Sequence, residues 1–185
     1  MIIKDDFISS FNSLKKHVST LDFNKEVNGV DGAVYPAISF EIPNVVKAEF
    51  IKNIETEVGF KINPLLVFLR ANPLGEKEPY QAHNDLNMGK YTCILYLTDK
   101  GGTSFLEHIQ TGMSKNDPDF IDEWLSDCND YDKWNITDYC PMKPNRALLF
   151  DAELMHRGEP CEGYGTGNKS RMIMVCFYDK ATNDS

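Results

Sequence analysis

Positive charge is scarce in this chain, with 19 lysines and arginines against 28 acids in 185 residues and a formal net charge of −9. No stretch gathers basic side chains. Non-specific nucleic-acid binding draws most of its free energy from Lys and Arg at phosphates, so no nucleic-acid partner is expected. Long apolar runs are missing too. None approaches the roughly 18 residues of a membrane helix, and the opening "MIIKDDFISSF" sets three apolar residues before two aspartates, far short of a signal-peptide core. No membrane partner is expected, and the expected location is cytoplasmic. The five cysteines, Cys93, Cys128, Cys140, Cys161 and Cys176, are odd in number and include no Cys-x-x-Cys pair. That argues against a disulfide framework or a structural zinc site, and for a reducing compartment. The triplets Asn135-Ile136-Thr137 and Asn168-Lys169-Ser170 match the glycosylation pattern but mean little in a chain that does not enter the secretory route.

Several catalytic signatures are also missing. There is no His-Glu-x-x-His and no Gly-x-Ser-x-Gly, which removes the zinc-protease arrangement and the nucleophile elbow. The string "GYGTGNKS" resembles a phosphate loop, but Asn168 separates Gly167 from Lys169-Ser170. A strand is expected after it, where phosphate binding needs a helix N-terminus.

What is present is ordinary globular material, 42 % hydrophobic, 25 % charged and 11 % aromatic, enough for one well-packed domain over 1–185. Asp5 or Asp6 can cap a helix carrying Phe7, Phe11, Leu14 and Val18 at helical spacing. A second helix is expected from about Asn44, with Val46, Phe50, Ile54 and Val58 on one stripe and a stop at Gly59. These helices and the early "VYPAISFEI" strand support a core over 61–179. From "INPLLVFLRANP" onward the chain breaks into short β-rich runs, the strongest being 91–98, 103–108, 146–151 and 171–178. Counting "VYPAISFEI", at least six strands are expected, in a sandwich or barrel rather than a doubly wound sheet.

Residues 112–140 interrupt that texture with eight acids against two lysines and both tryptophans, Trp124 and Trp134. Asp117-Pro118 reads as the start of a short helix over 118–127. The segment is either an insert packing its aromatics on a sheet edge or a lid facing substrate.

Four histidines occur in all. His17, on the first helix, is expected in solvent, and His108, ending a strand, at the surface. His83 is different, because "QAHNDL" sets it two residues before Asp85 at the threshold of an apolar strand. Side chains two apart in extended chain share a face about 6 to 7 Å apart and can converge on one point. His156, where "RALLFDAELMH" ends, can supply a second imidazole from a remote strand. Two imidazoles and one carboxylate make the facial set that binds non-haem Fe(II) and leaves positions open. A His-x-Asp by itself carries little information.

The ordered set "YQAHND", "YTCILYLTD", "GGTSF", "NRALLFDAELMH" and "RMIMVCFYD", from about Leu66 to Asp179, resembles the Fe(II)- and 2-oxoglutarate-dependent dioxygenases, particularly their prolyl-hydroxylase-like branch. The resemblance implies a mainly β fold with flanking α-helices, a double-stranded β-helix of the jelly-roll, cupin-like kind. It implies His83, Asp85 and His156 as iron ligands and catalytic residues, and Arg171 as the partner of the distal carboxylate of 2-oxoglutarate, which a guanidinium fork can grip twice. Tyr96 matches a tyrosine contacting the same carboxylate; otherwise it is a core aromatic. Thr92, Ile94 and Tyr96 share one strand face, and Arg171, Ile173, Val175 and Phe177 another, both expected to line the barrel. The sequence departs from the family in a glycine-rich loop, "EGYGTGNKS", between His156 and Arg171, and in Asn72, which stands where prolyl hydroxylases often carry a tyrosine.

The implied cofactors are Fe(II), 2-oxoglutarate as co-substrate and O2, and the implied reaction is hydroxylation of a C–H bond with release of succinate and CO2. The substrate is a peptide side chain or a small metabolite. Two rivals are a cupin-type metal-binding isomerase or sensor without oxygenase activity, and a silent binding module using the acidic insert.

Overall fold

The structure, a computed structural model, describes residues 1–23, 26–28, 32–76 and 78–182. In chain order its elements are β1 (Ile2–Lys4), α1 (Phe11–Val18), β2 (Val27–Asn28), β3 (Val34–Tyr35), β4 (Ile38–Ser39), α2 (Asn44–Val58), β5 (Ile62–Asn72), β6 (Tyr91–Tyr96), β7 (Gly102–His108), α3 (Ile121–Asp127), β8 (Trp134–Pro141), β9 (Ala147–Asp151), β10 (His156–Glu159) and β11 (Arg171–Lys180). The run "RMIMVCFY" in β11 is buried throughout. Both its faces are covered, so it lacks the alternation of a half-exposed strand.

One antiparallel sheet has the order β1-β9-β6-β11-β5-β4, a second the order β10-β7-β8, and β2 and β3 form a separate pair. A single antiparallel bridge from His83 to His156 sets the segment before β6 beside β10. From β5 onward the chain passes back and forth between the two sheets, except at the β7–β8 hairpin, which stays in the second sheet, and this is the winding of a double-stranded β-helix. The fold is this jelly roll, mainly β with flanking helices, as expected.

Register decides which side chains face the barrel interior. Ile173 lies opposite Tyr96 on one neighbour and opposite Arg70 on the other, and directly opposed residues share a face. The interior is a cluster including Phe68, Ile94, Tyr96, Phe105, Phe150, Ile173, Val175 and Phe177. On the other face of the six-stranded sheet, Leu69, Leu95, Met174 and Cys176 pack with Leu14 of α1 and Phe50 and Ile54 of α2. Those helices remove that face from water and leave the inner face for the site.

α2 matches its expected stripe and ends at Gly59, whose N–H bonds to the Glu55 carbonyl. α1 starts later than expected, after Ser10. Asp5 is drawn instead to Arg146 and Lys143 at 2.7 and 2.8 Å, while Ser9 and Ser10 donate their backbone N–H groups to the Glu49 carboxylate of α2. Phe7 lies outside the helix, edge-on to Phe50 with ring centroids 5.8 Å apart. A tertiary carboxylate has replaced the local cap.

The acidic segment also differs from expectation. Pro118–Phe120 forms a 3-10 turn leading into α3, with Asp117 accepting from the Asp119 N–H at 3.1 Å, but its second half is β8, an antiparallel partner of β7 with one register shift between Phe105 and Leu106. Its tryptophans pack inward. Trp134 is buried and donates to the Asp127 carbonyl at 2.9 Å, and Trp124 donates to the Ala82 carbonyl at 2.7 Å. Through Trp124 the segment backs the stretch that carries His83. It also corrects the expectation for His108, which is fully buried. Its Nδ1 lies 2.9 Å from Thr111 Oγ1 and its Nε2 3.1 Å from Asp127 Oδ2. His17 is half-buried, with Nε2 2.7 Å from the Glu41 carbonyl. Among the described residues no helix is long and apolar enough to cross a membrane.

Candidate metal centre

His83 and His156 come from segments 73 residues apart in sequence, and the backbone brings them together. Each donates its N–H to the other's carbonyl, at 3.0 and 2.8 Å. Residues that exchange both bonds stand opposite each other and project side chains to one face. The ring centroids are accordingly 4.4 Å apart. Asp85, two residues past His83, is pinned by its N–H to the Ala152 carbonyl at 2.8 Å. Its Oδ1 is 3.8 Å from His83 Nε2 and its Oδ2 3.4 Å from His156 Nε2.

Both imidazoles are aimed in the same way. His83 Nδ1 lies 3.0 Å from the Gln81 carbonyl and His156 Nδ1 2.9 Å from the Leu154 carbonyl. A carbonyl only accepts, so each Nδ1 carries the proton and each Nε2 presents its lone pair to the common point. The three donor atoms lie within 4.8 Å of one another. Neighbouring ligands of a first-row ion held at about 2.1 Å are roughly 3 Å apart, so small inward movements suffice. Phe150 stands edge-on to His156 at 4.8 Å, with Phe105 at 6.3 Å, and they wall the imidazole from water.

Electrostatics point the same way. Burial raises the Asp85 carboxyl, but His156, His83 and the Thr92 hydroxyl, which donates to Oδ2 at 2.9 Å, outweigh it and hold the group below its ordinary range. Burial lowers His156, and Asp85 more than reverses this. Protonation of the His156 imidazole, which Asp85 favours, occupies the Nε2 lone pair that a cation needs, so acid opposes cation binding.

Arg171 opens β11 and is buried. Its Nη2 donates to the Gly102 carbonyl at 3.3 Å, and among the described residues Nε has no acceptor. The guanidinium lies against Gly158, where a Cβ would come 2.9 Å from Nη2 and 3.0 Å from Cζ. A side chain at that position would have to move the guanidinium aside. Tyr96 is fully buried, and its hydroxyl donates to Thr103 Oγ1 at 2.8 Å. Burial pushes its ionisation far up, and Arg171 opposes that only weakly.

Two site residues were not foreseen. Glu78 bonds through Oε1 to Arg70 Nη1 at 2.9 Å, and its Oε2 is 3.7 Å from His83 Nδ1. Burial raises Glu78, but Arg70, His83 and Arg171 together hold it low, so it stays charged inside the barrel. Arg70 had a visible signal, a cation directly after the apolar run Leu65–Leu69 of β5. Glu78 had none, since it sits in a polar loop.

No protein-family model and no curated protein matches the chain. Solved structures do. AviO1 from Streptomyces viridochromogenes Tue57 aligns at 16 % identity and a TM-score of 0.55 over 98 % of this chain and 87 % of that one. EctD from S. alaskensis with 2-oxoglutarate and 5-hydroxyectoine aligns at 14 % identity and 0.56 over 98 % and 72 %. HygX from Streptomyces hygroscopicus with nickel and 2-oxoglutarate bound aligns at 14 % identity and 0.57 over 98 % and 83 %. At such identities the likeness is one of fold.

Proposed function

We propose that the protein is a non-haem Fe(II)- and 2-oxoglutarate-dependent dioxygenase that hydroxylates a small molecule or a peptide side chain. The observation that carries this reading is the meeting of two remote imidazoles and Asp85, Nε2 atoms inward, in a barrel that also buries Arg171. The likeness in fold to EctD holding 2-oxoglutarate and to HygX holding nickel and 2-oxoglutarate supports it. Iron bound there with 2-oxoglutarate would supply O2 activation, with succinate and CO2 as co-products.

The chain's own groups have separable tasks in this scheme. His83, Asp85 and His156 would hold the ion. Thr92, donating to Oδ2, would steady the Asp85 carboxylate for that task. Arg171 takes the distal carboxylate of 2-oxoglutarate, with Tyr96 and Thr103 completing the polar patch beside it. Phe105, Phe150, Ile173 and Val175 keep water from the reacting centre. A cupin-type isomerase or a silent binding module has no need of a buried, partly unpaired arginine. Asn72, opposite Arg171 in register, spends its amide on the Glu76 carbonyl at 2.8 Å, and so lends no support to prolyl specificity. The five cysteines are all free and buried, which supports a reducing, cytoplasmic setting.

Anaerobic Fe(II) with 2-oxoglutarate is expected to give a weak visible charge-transfer band that His83→Ala abolishes, and on admission of O2 slow succinate release. A folded wild-type protein giving neither the band nor succinate would rule out the proposal.

A further inference from the structure

Arg70 is placed as few arginines are. It lies on the inner face of β5, opposite Ile173 of β11 and Ile38 of β4, and only 9 % of it is exposed. Its guanidinium stacks near Tyr35, 5.9 Å from the ring centroid. One nitrogen, Nη1, is taken by Glu78. The other two, Nε and Nη2, are buried and have no acceptor among the described residues.

Those two nitrogens are a matched pair. On a guanidinium the Nε–H and one Nη–H run parallel along a single edge, and that edge is the fork that grips a carboxylate through two bonds. The end used by Glu78 is the other one. An arginine buried for structure alone would turn this fork to main-chain carbonyls, because an unpaired charged donor inside a protein is strongly disfavoured. At Arg70 itself the β5 backbone is paired on both sides, with β11 and with β4. Glu78 meanwhile anchors the far end of the group and prevents it from swinging away, and the same carboxylate approaches His83. The fork thus belongs to the interior that holds the candidate ion, yet it is distinct from Arg171.

We infer that the Nε/Nη2 edge of Arg70 is a second carboxylate receptor of this barrel. The carboxylate comes either from the primary substrate, which is then an acid, or from the metal-side end of 2-oxoglutarate. The second source rests on the dioxygenase reading, and the first does not require it.

Two titrations separate the sources. In Arg171→Ala protein without metal, which removes the other buried guanidinium, benzoate is expected to bind at least tenfold more tightly than benzamide, and adding Arg70→Gln is expected to erase the difference. In Ni(II)-loaded protein with Arg171 intact, the 2-oxoglutarate dissociation constant is compared with and without Arg70→Gln. An unchanged constant assigns the carboxylate to the primary substrate, and a rise of tenfold or more assigns it to the co-substrate. Arg70→Lys keeps a cation for Glu78 but lacks the fork, so it is expected to lose most of the benzoate preference and guards against a glutamine variant that fails to fold. The inference is overturned if folded variants leave both the benzoate preference and the 2-oxoglutarate constant unchanged. Failure of wild-type protein to take nickel and 2-oxoglutarate would overturn the dioxygenase reading alone, leaving the benzoate titration to decide on Arg70.

Discussion

The two ends of the barrel interior are built on opposite terms. At the His83/Asp85/His156 end every second nitrogen and oxygen already has a protein partner: both Nδ1 atoms face carbonyls and Asp85 accepts from Thr92. At the arginine end, Arg70 Nε, Arg70 Nη2 and Arg171 Nε are buried without an acceptor among the described residues. Each such donor costs about 1–3 kcal/mol, a strain the fold tolerates at no other described side chain. One end gathers lone pairs of the kind a small ion needs; the other keeps donors of the kind an anion would satisfy. Complete geometry and unmet polarity are thus two separate marks of a binding site, and this interior carries both.

The comparison can be broken most sharply at Arg171. Replacing it by Ala removes the distal anchor and is expected to weaken 2-oxoglutarate binding by about 2–5 kcal/mol, while calorimetry finds nickel affinity little changed. An equal loss of both would mean that the two ends are one unit. On the other side, Thr92→Val frees Asp85 Oδ2 and is expected to lower metal affinity roughly tenfold, leaving 2-oxoglutarate affinity of the metal-saturated protein alone; competition with a chelator measures it. A smaller effect is expected from Gly158→Ala. Its Cβ would push the Arg171 guanidinium aside, for about 1 kcal/mol of side-chain strain, read as a several-fold rise in the 2-oxoglutarate constant with no change in nickel binding. An unaltered constant there would show that the guanidinium does not need its seat on β10.

Much of the metal end was legible before folding because its signals are local or carried by rare residue types. A His-x-Asp at a strand threshold and a histidine closing a strand turn stand out against only four histidines in the chain. The arginine end was half legible. Arg171 opens an apolar run and draws notice, whereas Glu78 sits in an unremarkable polar loop and acquires meaning only through Arg70. His108 was misjudged for the same reason. The end of a β-strand reads as surface until α3 and Trp134 close over it and Asp127 supplies the partner. The α1 start also moved, because Glu49 on α2 offers two backbone amides a better acceptor than Asp5 or Asp6 can.

Period and composition by themselves determined that this chain makes short strands under two amphipathic helices, since hydrophobic spacing sets which face each element must hide. They also determined that an imidazole and a carboxylate share one strand face, a consequence of the two-residue repeat of extended chain. Only the tertiary structure decided that His156 stands opposite His83, and that two arginines from paired strands share one interior, one of them held by the half-buried Glu78. Register between distant strands is set by the whole core at once, and no local pattern encodes it.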